Sequence, residues 1–306
     1  MIVIRHAKLG MLSSYIGRPL AIRFVLDIAV AVAFVYGGWT WLAVPDVPLS
    51  IFGGVIGLIA GFRNASAYAR WWEARIVWGA LVNHSRCFAR EVLTMMDASG
   101  CERQSRLEIC EMQVKLVRLQ IAYVHALRNH LRDSPPWPDL AGLISEQEMA
   151  SLETQNNVPL AIQQQMAVLV SQCYRRGWID TMRWVALDRT LSTLMECQGA
   201  AERIKNTPMP RLYDFFIRLF VNLFCALLPL GMVASLRLWT PIGSTLVGFM
   251  FLALDKIGRD LETPFENTPH DVPLTAITRT IEINLKQMLG EREVPQPLAP
   301  ADGVLW

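Results

Sequence analysis

The sequence predicts an all-α membrane protein in which four hydrophobic spans accompany a large helical cytosolic region. Of its 306 residues, 52% are hydrophobic and only 18% are charged, whereas roughly 25% are charged in an average soluble domain. The apolar residues are concentrated in windows that contain no Asp, Glu, Lys or Arg, at residues 28–44, 47–62, 219–236 and 238–254. Each window approaches the roughly 17 to 25 residues that a helix needs to cross a bilayer.

The alternative for each window is a buried helix in a soluble core, and the shortest window, residues 47–62, fits that alternative best. Because the windows form two close pairs, we favour membrane insertion for all four. The first window begins far into the chain and a second follows almost at once, so it is not a removable signal peptide.

The distribution of charge predicts how the chain is oriented in the membrane. Arg5, Lys8, Arg18 and Arg23 precede the first span without an acidic residue, whereas the connection between the first two spans carries only Asp46. Since Lys and Arg favour the cytoplasmic side, we expect both termini in the cytosol and the protein in the cell inner membrane. The net charge of +2 favours neither nucleic acid nor acidic substrates as partners.

The predicted order is a basic cytosolic N-terminus, a transmembrane hairpin, a helical cytosolic region, a second hairpin and a cytosolic C-terminal segment with its tail. These parts cover residues 1–23, 24–62, 63–210, 211–256 and 257–306. Arg23 and Asp27, four residues apart, are expected to pair on one helix face. In the cytosolic region, Ser145 and Glu148 form a capping-box pattern that starts a helix. Further helices are predicted at residues 115–131, 160–176, 179–204 and 275–289.

Residue types with catalytic potential are scattered. The six cysteines form no CxxC pair, so we expect reduced thiols that serve packing. The five histidines show no metal-ligand spacing, and no HExxH, GxSxG or phosphate-loop motif is present. The sequence therefore predicts no enzyme, no catalytic residue and no metal site.

The second window is the most informative span. Gly53, Gly57 and Gly61 recur every four residues, which lets neighbouring helices approach closely. The adjacent stripe contains Gly54, Leu58 and Phe62, which follow one another along the helix with a drift of about 40° per step. Such a helix suits the wall of a narrow pore, because an apolar constriction can gate by dewetting. A tightly packed bundle helix without a pore explains the same pattern about equally well.

A resemblance to a known family favours the pore. The run GLIAGFRNASAYARWWEARIVWGALVNHSR, residues 57–86, resembles the signature of the bestrophin family, especially its prokaryotic branch. The basic N-terminus, the segment ERIKNTPMPRLYDFFIRLF and the segment LETPFENTPHDVPL agree with it in the same order. The resemblance covers nearly the whole chain, and RWWEAR after GFRN is its most specific part.

The resemblance implies a ring-shaped homopentamer around one axial pore, embedded in membrane lipid and passing small monovalent ions. The family's apolar neck carries over to Leu58 and Phe62. Its outermost ring falls on Gly54, which has no side chain, so Val55 is the alternative there. The second constriction of the family, near the cytosolic exit, carries over to Met209 before Pro210.

The resemblance also bears on calcium. Animal bestrophins bind calcium through an acidic cluster after the PF motif, since a hard cation needs several oxygen ligands together. Here the corresponding segment contains only Glu266 and Asp271 as carboxylates. A calcium clasp is therefore not expected, and no cofactor is predicted.

The resemblance favours chloride and other anions as the permeant ions, although an apolar neck excludes charge of either sign. A sodium-selective channel of the same fold therefore remains an alternative function. So does a non-conducting membrane scaffold that docks partners on the helix after the second span. For RWWEAR itself, we favour packing by Trp71 and Trp72, with ion pairs among Arg70, Glu73 and Arg75, over direct contact with ions.

Overall fold

A computed structural model of the chain describes residues 1–3, 9–44, 48–96 and 103–306, without the side chains of residues 9–14, 103 and 104. Predictions that rested on Arg5, Lys8 and Asp46 lie outside the described residues, as does Cys101, one of the six cysteines. Within the described ranges the regular elements are helical, in agreement with the predicted all-α class. The α-helices are α1 Leu9–Val35, α2 Leu49–Met95, α3 Arg103–Leu131, α4 Trp137–Leu140, α5 Glu146–Leu152, α6 Val158–Arg175, α7 Thr181–Asn206, α8 Arg211–Leu236, α9 Thr240–Glu262 and α10 Leu274–Met288.

The chain divides into two compact units. The span unit comprises Ile4–Trp71 and Pro208–Thr263, and the insertion unit comprises Met1–Val3, Trp72–Thr207 and Pro264–Trp306. Helix α2 contributes its beginning to the span unit and its remainder to the insertion unit. These divisions differ from the sequence-based boundaries after residues 62, 210 and 256.

The first predicted span is not a single helix. Helix α1 ends at Val35, and Gly38 follows with a φ of +68°, a left-handed conformation that glycine adopts without a steric cost. The rest of the window forms a 3₁₀ turn at Thr40–Leu42. Trp39 and Trp41 flank the start of this turn, with ring centroids 5.9 Å apart, and both side chains are exposed.

Two segments of the described chain are long and apolar enough to cross a membrane. They are Leu49–Met95, which is α2, and Arg211–Glu262, which combines α8 and α9. Helix α1 also has sufficient length, but Arg18, Arg23 and Asp27 interrupt its apolar sequence. Within the span unit, α1 packs against α8 and α9, and α8 packs against α9.

The core of the span unit forms where α8 faces α2 and α9. Ile217, Val221 and Cys225 on α8 are almost fully buried there. Ile56, Ile59, Phe251 and Leu252 pack against them. One side of α2 is therefore committed to packing inside the subunit.

Helices α6, α7 and α10 lie within two residues of the predicted ranges 160–176, 179–204 and 275–289, whereas α3 begins at Arg103, twelve residues before the predicted start at residue 115. The capping box predicted for α5 is confirmed: Ser145 N donates to the Glu148 carboxylate at 3.1 Å, and Glu148 N donates to Ser145 Oγ at 3.3 Å. Asn157 accepts from the backbone at the start of α6, and Asp180 does so for α7. The C-terminal tail pairs with the first residues of the chain through a bridge between Ile2 and Val304.

Buried polar groups join α3 to α10 in the insertion unit. His125 Nε2 lies 3.3 Å from Glu282 Oε2, and Lys286 Nζ lies 2.8 Å from Glu282 Oε1. Burial alone would raise the pKa of Glu282, but the nearby His125 ring and the Lys286 ammonium outweigh burial and lower that pKa to about 2. Glu282 therefore stabilises the packing of these two helices as a carboxylate.

The cysteines of the described chain differ in environment. Cys173, Cys197 and Cys225 are buried, as expected for packing residues. Cys110 is exposed on α3, so its assignment to packing was wrong. The sequence could not reveal this, because coverage of α3 depends on distant parts of the chain: among residues 105–115 only Ile109 is buried, whereas most residues from Leu116 onward are buried.

Candidate functional site

One face of α2 in the span unit is apolar and uncovered. Leu58 and Phe62 lie one turn apart and are 61% and 62% exposed. Ile51, two turns before Leu58, is 64% exposed on the same face. Since residues three, four or seven apart share a helix face, these side chains form an apolar stripe, which Ala65 and Ala69 extend. An exposed apolar stripe of this kind is typical of a surface that contacts another chain or a membrane, or that lines a binding groove.

The sequence-based assignment placed Leu58 and Phe62 on this stripe but missed Ile51. The available signal was its seven-residue spacing from Leu58, which returns to the same side of a helix after two turns. It was overlooked because the resemblance began the neck at Gly54.

Gly54 and Val55 have different surroundings. A Cβ atom added at Gly54 would meet nothing within 4 Å, so this position is open on the exposed side of the helix. Val55 is half-exposed and lines a 290 Å³ apolar cavity between α2 and α8, together with residues that include Phe220 and Leu223. Val55 thus faces the side of α8, while Gly54 leaves a gap in the stripe.

The three glycines of the predicted packing stripe do not share one environment. A Cβ atom at Gly53 would come 3.0 Å from the Phe224 ring of α8, and one at Gly57 would come 3.9 Å from Phe251 of α9. A Cβ atom at Gly61 would meet nothing within 4 Å. Of these three glycines, Gly53 is therefore the one at which another helix of the subunit comes close enough to crowd a side chain.

Met209, the predicted cytosolic constriction, lies in the span unit just before α8. Pro210 is the N-cap residue of that helix, and its fixed φ helps to end the preceding segment. Met209 therefore lies in the short non-helical stretch, residues 208–210, that directly precedes α8.

Arg63 directly follows Phe62 and is only 1% exposed. Its Nη1 lies 3.1 Å from Asp255 Oδ1 and 3.0 Å from the Asp255 carbonyl oxygen, and its Nη2 donates to Asp214. Glu262 Oε2 is 3.8 Å from the same Nη2. Arg63 is the first residue after the predicted transmembrane hairpin, and the structure surrounds its guanidinium with three carboxylates.

The predicted ion pair between Arg23 and Asp27 is not the contact that these side chains make. Arg23 Nη2 donates to Asn222 Oδ1 at 2.6 Å. Asp27 is 4% exposed and accepts hydrogen bonds from Ser244 and from Thr245, the latter at 3.2 Å. Hydroxyl groups of α9 therefore satisfy the buried carboxylate, because they reach it where α1 and α9 pack together.

The segment after the PF motif forms a tight turn in the insertion unit. Asn267 has a φ of +63°, and Thr268 Oγ1 donates to the Asp271 carboxylate. Asp271 is 2% exposed, whereas Glu266 is exposed. Among the described residues, no three His, Cys, Asp or Glu side chains lie close enough together to hold a metal ion.

Comparison with known proteins gives consistent matches along the chain. The family model described as Bacterial/Fungal Bestrophin protein matches residues 7–287. The voltage-dependent anion channel-forming protein YneE of Salmonella typhi is 34% identical over 95% of this chain and 92% of its own. The YneE protein of Escherichia coli K12 is 33% identical over the same shares.

Solved structures show the same architecture. The crystal structure of a bacterial bestrophin homolog from Klebsiella pneumoniae matches with a TM-score of 0.83 and 27% sequence identity, covering 90% of this chain and 98% of that one. Together with the apolar helices, these matches define an all-α membrane protein. The chain belongs to the bestrophin family, in its bacterial and fungal branch.

Proposed function

We propose that the chain is one subunit of a ring-shaped homopentamer whose axial pore passes small monovalent anions, with chloride as the principal ion. The exposed apolar stripe on α2 is the observation that carries the proposal. The opposite side of α2 packs inside the subunit, so a symmetric ring can place the uncovered stripes of neighbouring copies around one axis. The names of the relatives, which describe anion channel-forming proteins, favour anions.

In this proposal Leu58 and Phe62 form apolar rings of the neck. Such rings hold ions back by excluding water, without a charged gate. Ile51 supplies the outermost ring in place of Gly54, because Ile51 is exposed on the same face and Gly54 has no side chain. Val55 supports the packing against α8, and Met209 forms the second constriction at the cytosolic exit.

We propose that α1, α2, α8 and α9 are the four spans of an inner-membrane protein with both termini in the cytosol. The bias of Lys and Arg toward the cytoplasm supports this orientation, since Arg18 and Arg23 lie near the start of the first span and no acidic residue precedes them. Exposed apolar side chains on α8 and α9, such as Phe216 and Leu246, suit contact with lipid.

Conduction in this proposal requires no calcium. A calcium site needs six to eight oxygen ligands, whereas the turn after the PF motif offers two carboxylates, one of which accepts a hydrogen bond from Thr268. Conductance should therefore be equal with calcium and with a calcium chelator.

The proposal is tested by reconstituting the purified full chain in planar bilayers under a tenfold KCl gradient. An anion-selective pore gives a reversal potential that approaches about 59 mV in magnitude, with the sign expected for chloride. A reversal potential of the opposite sign, repeated in NaCl, would identify the sodium-selective channel of the same fold.

The non-conducting scaffold is distinguished by subunit number and current together. Mass measurement in detergent should give a homopentamer. A monomer or dimer without current in the native protein, and in variants with a widened neck, would replace the channel by the scaffold.

A further inference from the structure

The uncovered side of α2 becomes polar and cationic in the part of the helix that belongs to the insertion unit. Between residues 76 and 94, the exposed residues of α2 are Ile76, Asn83, Arg86, Arg90 and Thr94, and none of them is acidic. This stretch of the helix therefore presents positive charge to solvent without an exposed carboxylate beside it.

The spacing of residues along α2 relates this stretch to the proposed neck. Five exposed positions follow one another at seven-residue intervals: Phe62, Ala69, Ile76, Asn83 and Arg90. Each seven-residue step returns to nearly the same side of an α-helix, with a drift of about 20°. Arg86 lies one turn before Arg90. The side of α2 that carries the apolar rings thus ends with two arginines.

Arg86 is held in place by a neutral partner. Its Nε and Nη2 both donate to Asn284 Oδ1 of α10, at 2.9 and 2.6 Å. Because an amide oxygen carries no net charge, this contact orients the guanidinium without neutralising it.

Arg90 is more exposed than the carboxylate next to it. The Arg90 side chain is 62% exposed, and its Nη2 lies 3.3 Å from Glu91 Oε1. Glu91 is only 8% exposed, and its Oε2 accepts a hydrogen bond from Thr190 Oγ1 at 2.7 Å. The carboxylate is thus engaged inside the unit, while Arg90 faces outward. Since like charges four residues apart destabilise a helix, helix stability does not explain the pairing of Arg86 with Arg90.

We propose that Arg86 and Arg90 attract anions to the pore and determine its preference for anions over cations. The inference rests on the proposed channel function and names the residues that give it selectivity. In a symmetric ring, the copies of this pair surround one axis, and rings of arginine or lysine select anions. The apolar neck does not make this choice, because it excludes charge of either sign.

The test measures the permeability ratio of chloride to potassium from reversal potentials of the full chain in planar bilayers. At low salt, Arg90→Gln should lower this ratio by about threefold or more, because charges that line a cleft raise the local counter-ion concentration by about tenfold or more. Arg86→Gln combined with Arg90→Gln should lower the ratio further, and Arg90→Lys should preserve it. The loss should become small at about 1 M salt, where the Debye length is about 3 Å, compared with about 30 Å at about 0.01 M.

Arg175→Gln is the matched control, because Arg175 is an exposed arginine at the end of α6 and its replacement removes the same charge. It should keep the wild-type permeability ratio. An equal loss in Arg175→Gln, or a loss in Arg90→Gln that does not depend on salt, would overturn this inference. An unchanged ratio in the double variant would also overturn it and leave the channel function standing. Wild-type protein that passes no current would overturn both.

Discussion

Asn64 of α2 lies directly against the backbone of Gly258 in α9. A Cβ atom at Gly258 would be 2.1 Å from Asn64 Oδ1 and 3.2 Å from Arg63 Nη1. Asn64 cannot easily turn away, because its Nδ2 donates to the Leu254 carbonyl oxygen at 2.9 Å. Gly258 is therefore required for the approach that brings α9 to Arg63.

Gly258→Ala should destabilise the span unit. The added methyl group forces Asn64 or α9 to move, and overpacking of this kind costs about 1 to 3 kcal/mol. Thermal unfolding of the purified protein in detergent measures the effect as a lower midpoint. Gly54→Ala is the matched control, because its methyl group enters open space and alanine favours a helix by about 0.5 to 1 kcal/mol. Equal midpoints for Gly258→Ala and the wild type would contradict the close approach.

Leu58→Ala and Phe62→Ala should each raise the unitary conductance, since a smaller ring widens the neck and admits water more readily. Ile51→Ala should act in the same direction if Ile51 forms the outermost ring. Single-channel recording in planar bilayers measures these changes. Leu246→Ala serves as the control, because Leu246 is an equally exposed leucine on α9, 63% exposed, and lies outside the proposed neck. A similar increase from Leu246→Ala would show that the neck is placed wrongly.

The Glu282 carboxylate should stabilise the insertion unit in a pH-dependent way. Its pKa is lowered from 4.5 to about 2 in the folded chain, so its contribution is complete above about pH 4.5 and is lost as the pH falls toward 2. The shift corresponds to at most about 3 kcal/mol. Glu282→Gln should lower the unfolding midpoint at neutral pH.

The difference between the wild type and Glu282→Gln should shrink as both are acidified below about pH 4.5. Circular dichroism of the full chain in detergent at a series of pH values measures it. Glu153→Gln, at an exposed position at the end of α5, should match the wild type throughout. A difference that stays constant down to pH 2 would mean that the carboxylate charge is not responsible.

Cys110 and Cys173 should differ sharply in thiol reactivity. Cys173 is fully buried, and burial raises the pKa of its thiol to about 11, which leaves almost no thiolate at neutral pH. Cys110 is exposed. Maleimide treatment of the native protein followed by peptide mass mapping should find the label on Cys110 and not on Cys173, whereas denatured protein should be labelled at both. Equal native labelling would place Cys173 at an accessible surface.

The parts of the fold that depend on neighbouring residues could be predicted well. Ser145 and Glu148 lie within one turn of each other, so their capping box could be recognised before any tertiary contact was known. Leu58 and Phe62 likewise share a face by helix geometry alone, and the bestrophin signature around them gave the family. The length of the apolar windows was a weaker guide to where the helices end. Helix α1 ends at Val35, inside the first window, and Gly38 follows in a left-handed conformation.

The environment of each site residue depended on the tertiary structure, because the partners come from distant parts of the chain. Arg63 binds Asp214 and Asp255, which lie 151 and 192 residues further on. Asp27 likewise bonds Ser244 instead of Arg23, its predicted neighbour. The sequence by itself determined the helical class and the family. Only the folded chain decided which face of α2 stays uncovered and which charges neutralise Arg63, since both depend on how α8 and α9 pack against α2.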